Sequence, residues 1–214
     1  MQRLKHLLFS VCSLALSGPA LAVQAAEELR FEVFLNDRPI GEHRFRIADS
    51  GKTTRVSSRA AFDVDFLFIN AYRYRHSSLE TFRDGCLVEI DARTDDNGKQ
   101  LEVEGEIVGG GFRVEGPEGI EQTDGCLKTF AYWDKSFLEQ ERLLNPQTGD
   151  LVQVRVEPAG SERVTVGDGQ QIAAKRYALQ ADDLVIDLWY NDELGWVGLK
   201  SEAGKGRNII YRRM

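Results

Sequence analysis

The sequence predicts an all-β fold: a strongly curved antiparallel sheet or partly open β-barrel of short meandering strands, with one short helix near residues 136–144. Three observations carry this expectation. Apolar and polar residues alternate with a period of two along much of the chain. Turn-forming clusters recur about every ten residues. Only one segment, "YWDKSFLEQERLLNP", has helical spacing.

In "ELRFEVFLN", Leu29, Phe31, Val33 and Leu35 fall on one face. In "QLEVEGEIV", Leu101, Val103 and Ile107 point inward, and Glu102, Glu104 and Glu106 point outward. "LVQVRVE" repeats the pattern with Val152, Val154 and Val156. Strands with one buried and one wet face belong to antiparallel sheets, because parallel strands covered on both sides read as continuous apolar runs. The turns include "NDRPIG", "RDGC", "DDNGK", "TDGC" and "NDELG". Asp-Gly, at 84–85 and again at 124–125, predicts a hairpin tip or sharp turn, since both positions of the tightest hairpin loop need positive φ. Ser136 and Glu139 form an S-x-x-E capping box. Phe137, Leu138, Glu141 and Leu144 follow at helical spacing until Pro146 stops the element.

Residues 1–25 read as a secretory signal peptide. Arg3 and Lys5 precede an apolar run from Leu7 to Leu16, and Gly18-Pro19 leads into Ala20-Leu21-Ala22. Cleavage after Ala22 or Ala25 fits, leaving 26–214 as a single β domain in a periplasmic or secreted setting. The run is too short to span a bilayer, which takes about 20 residues, and no transmembrane segment is expected elsewhere. Losing Arg3 and Lys5 takes the net charge from −7 to about −9. So acidic a chain, with no basic stripe interleaved with aromatics, is not expected to track nucleic-acid phosphates.

Cleavage also removes Cys12 and leaves Cys86 and Cys126, each inside the tetrapeptide "DGCL". In an oxidising compartment an even count reads most simply as one disulfide. Free structural thiols, and a functional thiol or metal ligand, are the other readings. A flat meander would hold the two about 19 Å apart, at ~4.8 Å per strand. A bridge needs Cα atoms within ~7 Å, so it requires strong curl or a crossing loop at 116–126.

No catalytic motif and no cofactor is indicated. C-x-x-C, G-x-S-x-G, H-E-x-x-H and the P-loop pattern are absent. His43 and His76 lack metal-ligand spacing, and no metal site is expected. Asp95-Asp96 and Asp182-Asp183 are adjacent residues in turn-like sequence, not poised acid–base pairs. His43 shares a strand face with Phe45 and Ile47, and His76 shares one with Tyr72 and Tyr74. Two readings follow: a polar spot in an apolar ligand pocket, or hydrogen-bonded core residues. "FAYWD" likewise offers Trp133 and Asp134 as a cavity rim, or as a helix-docking aromatic with an acid beside the helix dipole.

The segments "RFEVFLNDRPIGEHRFRI", "FLFINAYRYRHSSLETFRDGCL", "TFAYWD" and "IDLWYNDELGWVGLKSEAGKGRNIIYR" resemble a family of exported bacterial proteins known only as a domain of unknown function. The resemblance runs from about Arg30 to Arg212. It implies a curved antiparallel sheet like the half-barrels of periplasmic lipid and lipoprotein carriers, with no catalytic residues to carry over. The combined expectation is a non-enzymatic binder or carrier of an apolar, lipid-like ligand, held by Tyr72, Tyr74, His76, His43, Trp133 and Asp134. An envelope assembly protein that meets a partner chain is the alternative. A hydrolase-type enzyme is the third, and it requires His43 or His76 beside an acid or thiol in a cleft.

Overall fold

The computed structural model describes residues 26–66, 69–181, 184–204 and 206–214. The expected leader and the Asp182-Asp183 pair lie outside the described residues. Eight strands run up and down in sequence: β1 (Glu27–Leu35), β2 (Arg38–Asp49), β3 (Thr53–Phe66), β4 (Ile69–Arg83), β5 (Cys86–Asp96), β6 (Lys99–Val108), β7 (Gly111–Gly116) and β8 (Gly119–Thr123). A long connection follows, carrying a 3₁₀ turn (Lys135–Glu139) and a small hairpin of β9 (Arg142–Leu144) and β10 (Leu151–Gln153). The second meander is β11 (Arg155–Thr165), β12 (Gln171–Ala181), β13 (Leu184–Asn191), β14 (Gly195–Glu202) and β15 (Asn208–Arg213).

Thirteen strands form one antiparallel sheet in the order β11-β12-β13-β14-β15-β1-β2-β3-β4-β5-β6-β7-β8. The first and last strands of the chain meet in its middle, with Phe31 opposite Arg213 and Leu35 opposite Ile209. The sheet is a curved, open all-β structure, with β8 and β11 as its two edges.

The first Asp-Gly pair does tip a hairpin: Asp84 and Gly85 have φ of 49° and 80° between β4 and β5. The second does not. There only Gly125 has positive φ, 89°, and the pair marks the bend where the chain leaves edge strand β8. Near the start of β2 the pairing with β1 slips between Val33 and Phe34. A Cβ on Gly41 would stand 1.9 Å from the Ala61 carbonyl oxygen, so only glycine fits this irregularity. Ile107 is a correction to the inward set of β6. It is 46% exposed, beyond the point where the Phe112 ring fills the place of a side chain at Gly105.

The expected helix is replaced in its second half. The helical element is a five-residue 3₁₀ turn, and its N-cap is Asp134, which accepts from the Ser136 backbone N–H at 3.0 Å. Residues 142–144 are strand instead. A nine-residue helix is marginal on its own, and here tertiary bonds claim the backbone: Leu144 N donates to Lys128 O and Val154 N donates to Glu141 O, both at 2.9 Å.

The connection therefore takes the place foreseen for a helix. It lays Leu127, Ala131, Phe137, Leu143 and Leu144 against inward residues of both meanders, including Phe31, Ile90, Phe112, Leu188 and Trp196. Its first residues double back from β8, where Leu87 N donates to Leu127 O at 2.8 Å. That return brings Cys126 to Cys86, and the two are disulfide-bonded with Cα atoms 4.9 Å apart.

Candidate functional site

Between the inner face of the sheet and the connection lies a cavity of about 750 Å³. Strand β4 runs along its wall. Period-two alternation turns Glu80, Ser78, His76, Tyr74 and Tyr72 toward it, and Arg73, Arg75, Ser77 and Leu79 away. The row grades from buried Glu80, Ser78 and His76, through partly buried Tyr74, to Tyr72 at 37% exposure. Leu184, 39% exposed, lines the cavity with it. The cavity thus has a deep polar end and an apolar, aromatic mouth.

The deep end is built from side chains of β2, β3, β4, β5 and β15 and from the connection. Glu80 accepts hydrogen bonds from Ser78 Oγ at 2.8 Å and from Thr129 Oγ1 at 2.7 Å. Burial pushes its carboxyl up, against the two hydroxyl donors that favour the charged form. No cation pairs with it among the described residues. His43 Nε2 lies 2.7 Å from Ser58 Oγ, and its Nδ1 lies 3.3 Å from the Tyr211 hydroxyl. The imidazole stacks on Phe45 with centroids 4.1 Å apart. Burial, and then the neighbouring His76, bring its pKa down to about 3. His76 places Nδ1 2.8 Å from Thr94 Oγ1, and burial alone brings it down to about 4. Both rings are therefore neutral at neutral pH. His76 Nε2 and the Tyr74 hydroxyl have no hydrogen-bond partner among the described residues.

Toward the mouth the walls are rings. Phe62 stacks on Tyr74 at 5.3 Å, whereas Trp133 packs edge-on against Phe82 at 5.4 Å beyond Glu80, at the end of β4 away from the mouth. Tyr72 donates to Asp96 Oδ1 at 2.7 Å, and burial with that carboxylate raises its hydroxyl to about 12.

Five of the six residues singled out from sequence, His43, Tyr72, Tyr74, His76 and Trp133, line this one cavity. Asp134 does not. Its carboxylate is 2.8 Å from the buried ammonium of Lys128, which also donates to Gly85 O at 2.8 Å. Burial opposes the charge on Asp134, but the bonds from Lys128 and Ser136 outweigh it and hold the carboxyl below its usual range. Asp134 is thus a cap and an ion-pair partner that ties the connection to the β4–β5 turn.

Sequence reasoning missed Glu80, Ser58, Ser78 and Thr129. Glu80 had a signal: it follows His76 at the same alternation as Tyr72 and Tyr74. Among the described residues no group of three or more His, Cys, Asp or Glu is placed to hold a metal ion. Both cysteines of the described chain are consumed in the disulfide and cannot act as nucleophiles.

No curated protein matches the chain. The model of the family described as "Domain of unknown function (DUF6134)" matches residues 31–214, nearly all of the described chain, and the chain belongs to that family.

Proposed function

We propose that the chain binds an apolar, lipid-like molecule in the inner-face cavity and is a carrier or binder of it, not an enzyme. The cavity itself is the observation that carries this reading. About 750 Å³ is within the range of small-molecule sites, roughly 300–1,000 Å³, and the walls are mainly apolar with few convergent polar groups. The ligand's body lies against Phe62 and Tyr74 toward the mouth, its polar end meets His76 Nε2, and Trp133 closes the far end of the cavity beyond Glu80. A periplasmic or secreted setting belongs to the same proposal. The Leu7–Leu16 leader pattern and the Cys86–Cys126 bridge support it, since such bridges persist in oxidising compartments.

The geometry gives less support to a hydrolase. Ser58 does meet His43 at 2.7 Å, but the other ring nitrogen faces the Tyr211 hydroxyl and not a carboxylate. An imidazole held near 3 is a poor general base at neutral pH. The reading as an envelope partner protein needs an inviting sheet edge. β8 has five residues, and β11 carries Pro158 and a register shift before Ser161, both of which discourage strand addition.

The test is native mass spectrometry of the exported protein purified from its own host, followed by solvent extraction and lipid analysis. We expect a co-purified apolar molecule. Trp133→Ala combined with Tyr74→Ala should reduce its occupancy several-fold while the bridge still forms. A clean apo mass, together with no quenching of Trp133 by added fatty acids or lysolipids, is the result that sinks the proposal.

A further inference from the structure

The opposite face of the same sheet carries a row of arginines. Cross-strand register puts Arg30 opposite Arg44, Arg44 opposite Arg59, Arg59 opposite Ser77, and Ser77 opposite Arg93. Like charges directly opposite one another weaken a sheet, so two consecutive arginine–arginine pairs are a cost that packing alone does not explain. Around the small side chains of Ala61 and Ser77 they form an open groove of about 670 Å³, bounded by Arg44, Arg59, Arg75 and Arg93, with Glu42 and Asp95 also lining it.

Most of these charges are spoken for. Arg30 and Arg44 share Glu42. Arg75 grips Asp63 with both oxygens, at 2.9 and 2.7 Å. Arg93 has only distant carboxylates, Asp91 at 3.9 Å and Glu102 at 3.8 Å. Arg59 has no ion pair or hydrogen bond among the described residues, and neither has the Ser77 hydroxyl beside it. Arg59 and Arg93 stand on either side of Ser77, about two strand spacings or ~10 Å apart at the backbone, and long side chains can close that gap from both sides.

We propose that this groove is a binding site for a phosphoryl group, held between the guanidinium forks of Arg59 and Arg93 over the Ser77 hydroxyl. Arginine's planar fork donates two parallel bonds to such oxygens. A terminal phosphoryl group offers three oxygens for two forks and a hydroxyl, one more than a carboxylate can supply. The site is independent of the inner cavity, because the β-strand pleat sends Arg59 and Ser77 away from Ser58, Ala60 and His76. The phosphoryl group can belong to a soluble phosphate or to a lipid headgroup, and the test separates the two.

Thermal melts and calorimetry with sodium pyrophosphate form one arm, against sodium chloride of equal ionic strength. Co-sedimentation with phosphatidylglycerol vesicles, against phosphatidylcholine vesicles, forms the other. In the first arm we expect pyrophosphate to raise the melting temperature, and Arg59→Thr to weaken binding by about tenfold or more, as for loss of a charge-assisted contact. Arg59→Lys should fall between, because it keeps the charge and loses the fork. Without anion, Arg59→Thr should melt no lower than the wild type, since it relieves repulsion; this reports that the variant folds. Binding of pyrophosphate alone assigns the site to soluble phosphates, and Arg59-dependent binding of anionic vesicles assigns it to headgroups. Binding in neither arm, or equal binding by wild type and Arg59→Thr, overturns the proposal.

Discussion

His43 and His76 are where a single protonation acts on the whole molecule. Their folded pKa values, about 3 and about 4, lie below the ordinary 6.5, with burial as the first cause for each. Below pH ~6.5 the unfolded chain takes up protons that the folded chain refuses, so stability present above that pH is lost as pH falls toward about 4. Each histidine contributes a slope of at most about 1.4 kcal/mol per pH unit. Glu80 works the other way. Its raised carboxyl holds a proton that the unfolded chain releases above about 4.5, so stability is lost as pH rises through its folded pKa. The net expectation is a urea midpoint that drops between pH 6.5 and 4.5, and a shallower drop in His76→Gln. A midpoint that is flat across that window would show that the rings are not held neutral. The same residues mark how far the site was legible. Tyr72, Tyr74 and His76 announce their shared face by alternation alone, since a pleated strand has only two faces to offer. Glu80 continues that face by the same alternation, but that the face lines a cavity depends on a connection more than forty residues further on. The arginine row was hidden for a similar reason: Arg30, Arg44, Arg59 and Arg93 become neighbours only through register, inside a chain whose net charge is −7.

At the scale of elements, the strands were readable and the connection was not. Leu29, Phe31 and Val33 alternate cleanly, and β1 forms where that pattern runs. The segment 135–144 carries a capping box and helical spacing, yet Arg142–Leu144 is strand, because Lys128 and the β10 backbone offer partners that no local rule contains. The two "DGCL" copies diverge on the same principle. Identical tetrapeptides become a hairpin tip and an edge bend, according to whether a following strand pairs back. Their cysteines then fasten the start of β5 to the connection across a separation of 40 residues. On the chain-entropy account a loop of that size contributes about 4 kcal/mol, the loop being closed already in the unfolded state. Cys86→Ser with Cys126→Ser is therefore expected to lower unfolding free energy by about that amount in denaturant titration. It should also expose 124–134 to proteolysis before the strands. A double variant as stable as the oxidised parent would mean that Lys128, with its bonds to Gly85 and Asp134, holds the return without help.

The whole molecule is organised by the pairing of its two ends. β15 lies between β14 and β1, so residues 208–213 are the seam between two meanders and not a trailing edge. Each meander can form from local hairpins, but the seam joins residues about 180 positions apart, such as Phe31 and Arg213. Closing so long a loop is slow and gains nothing until β1 and β15 both pair. The inner face depends on the seam as well: Phe31 on β1 meets Trp196 on β14 at 4.0 Å and Tyr211 on β15 at 6.0 Å. Tyr211 in turn reaches His43 and lines the cavity. Removing residues 208–214 should therefore abolish cooperative unfolding and the cavity together, measured by circular dichroism melts and by lipid occupancy. Removing β8 with its neighbouring turn, at the true edge, should leave a cooperative transition, although the bridge at Cys126 loses its approach. If the chain lacking β15 melts as sharply as the full chain, then the two meanders fold as separate units and the ends do not hold the sheet.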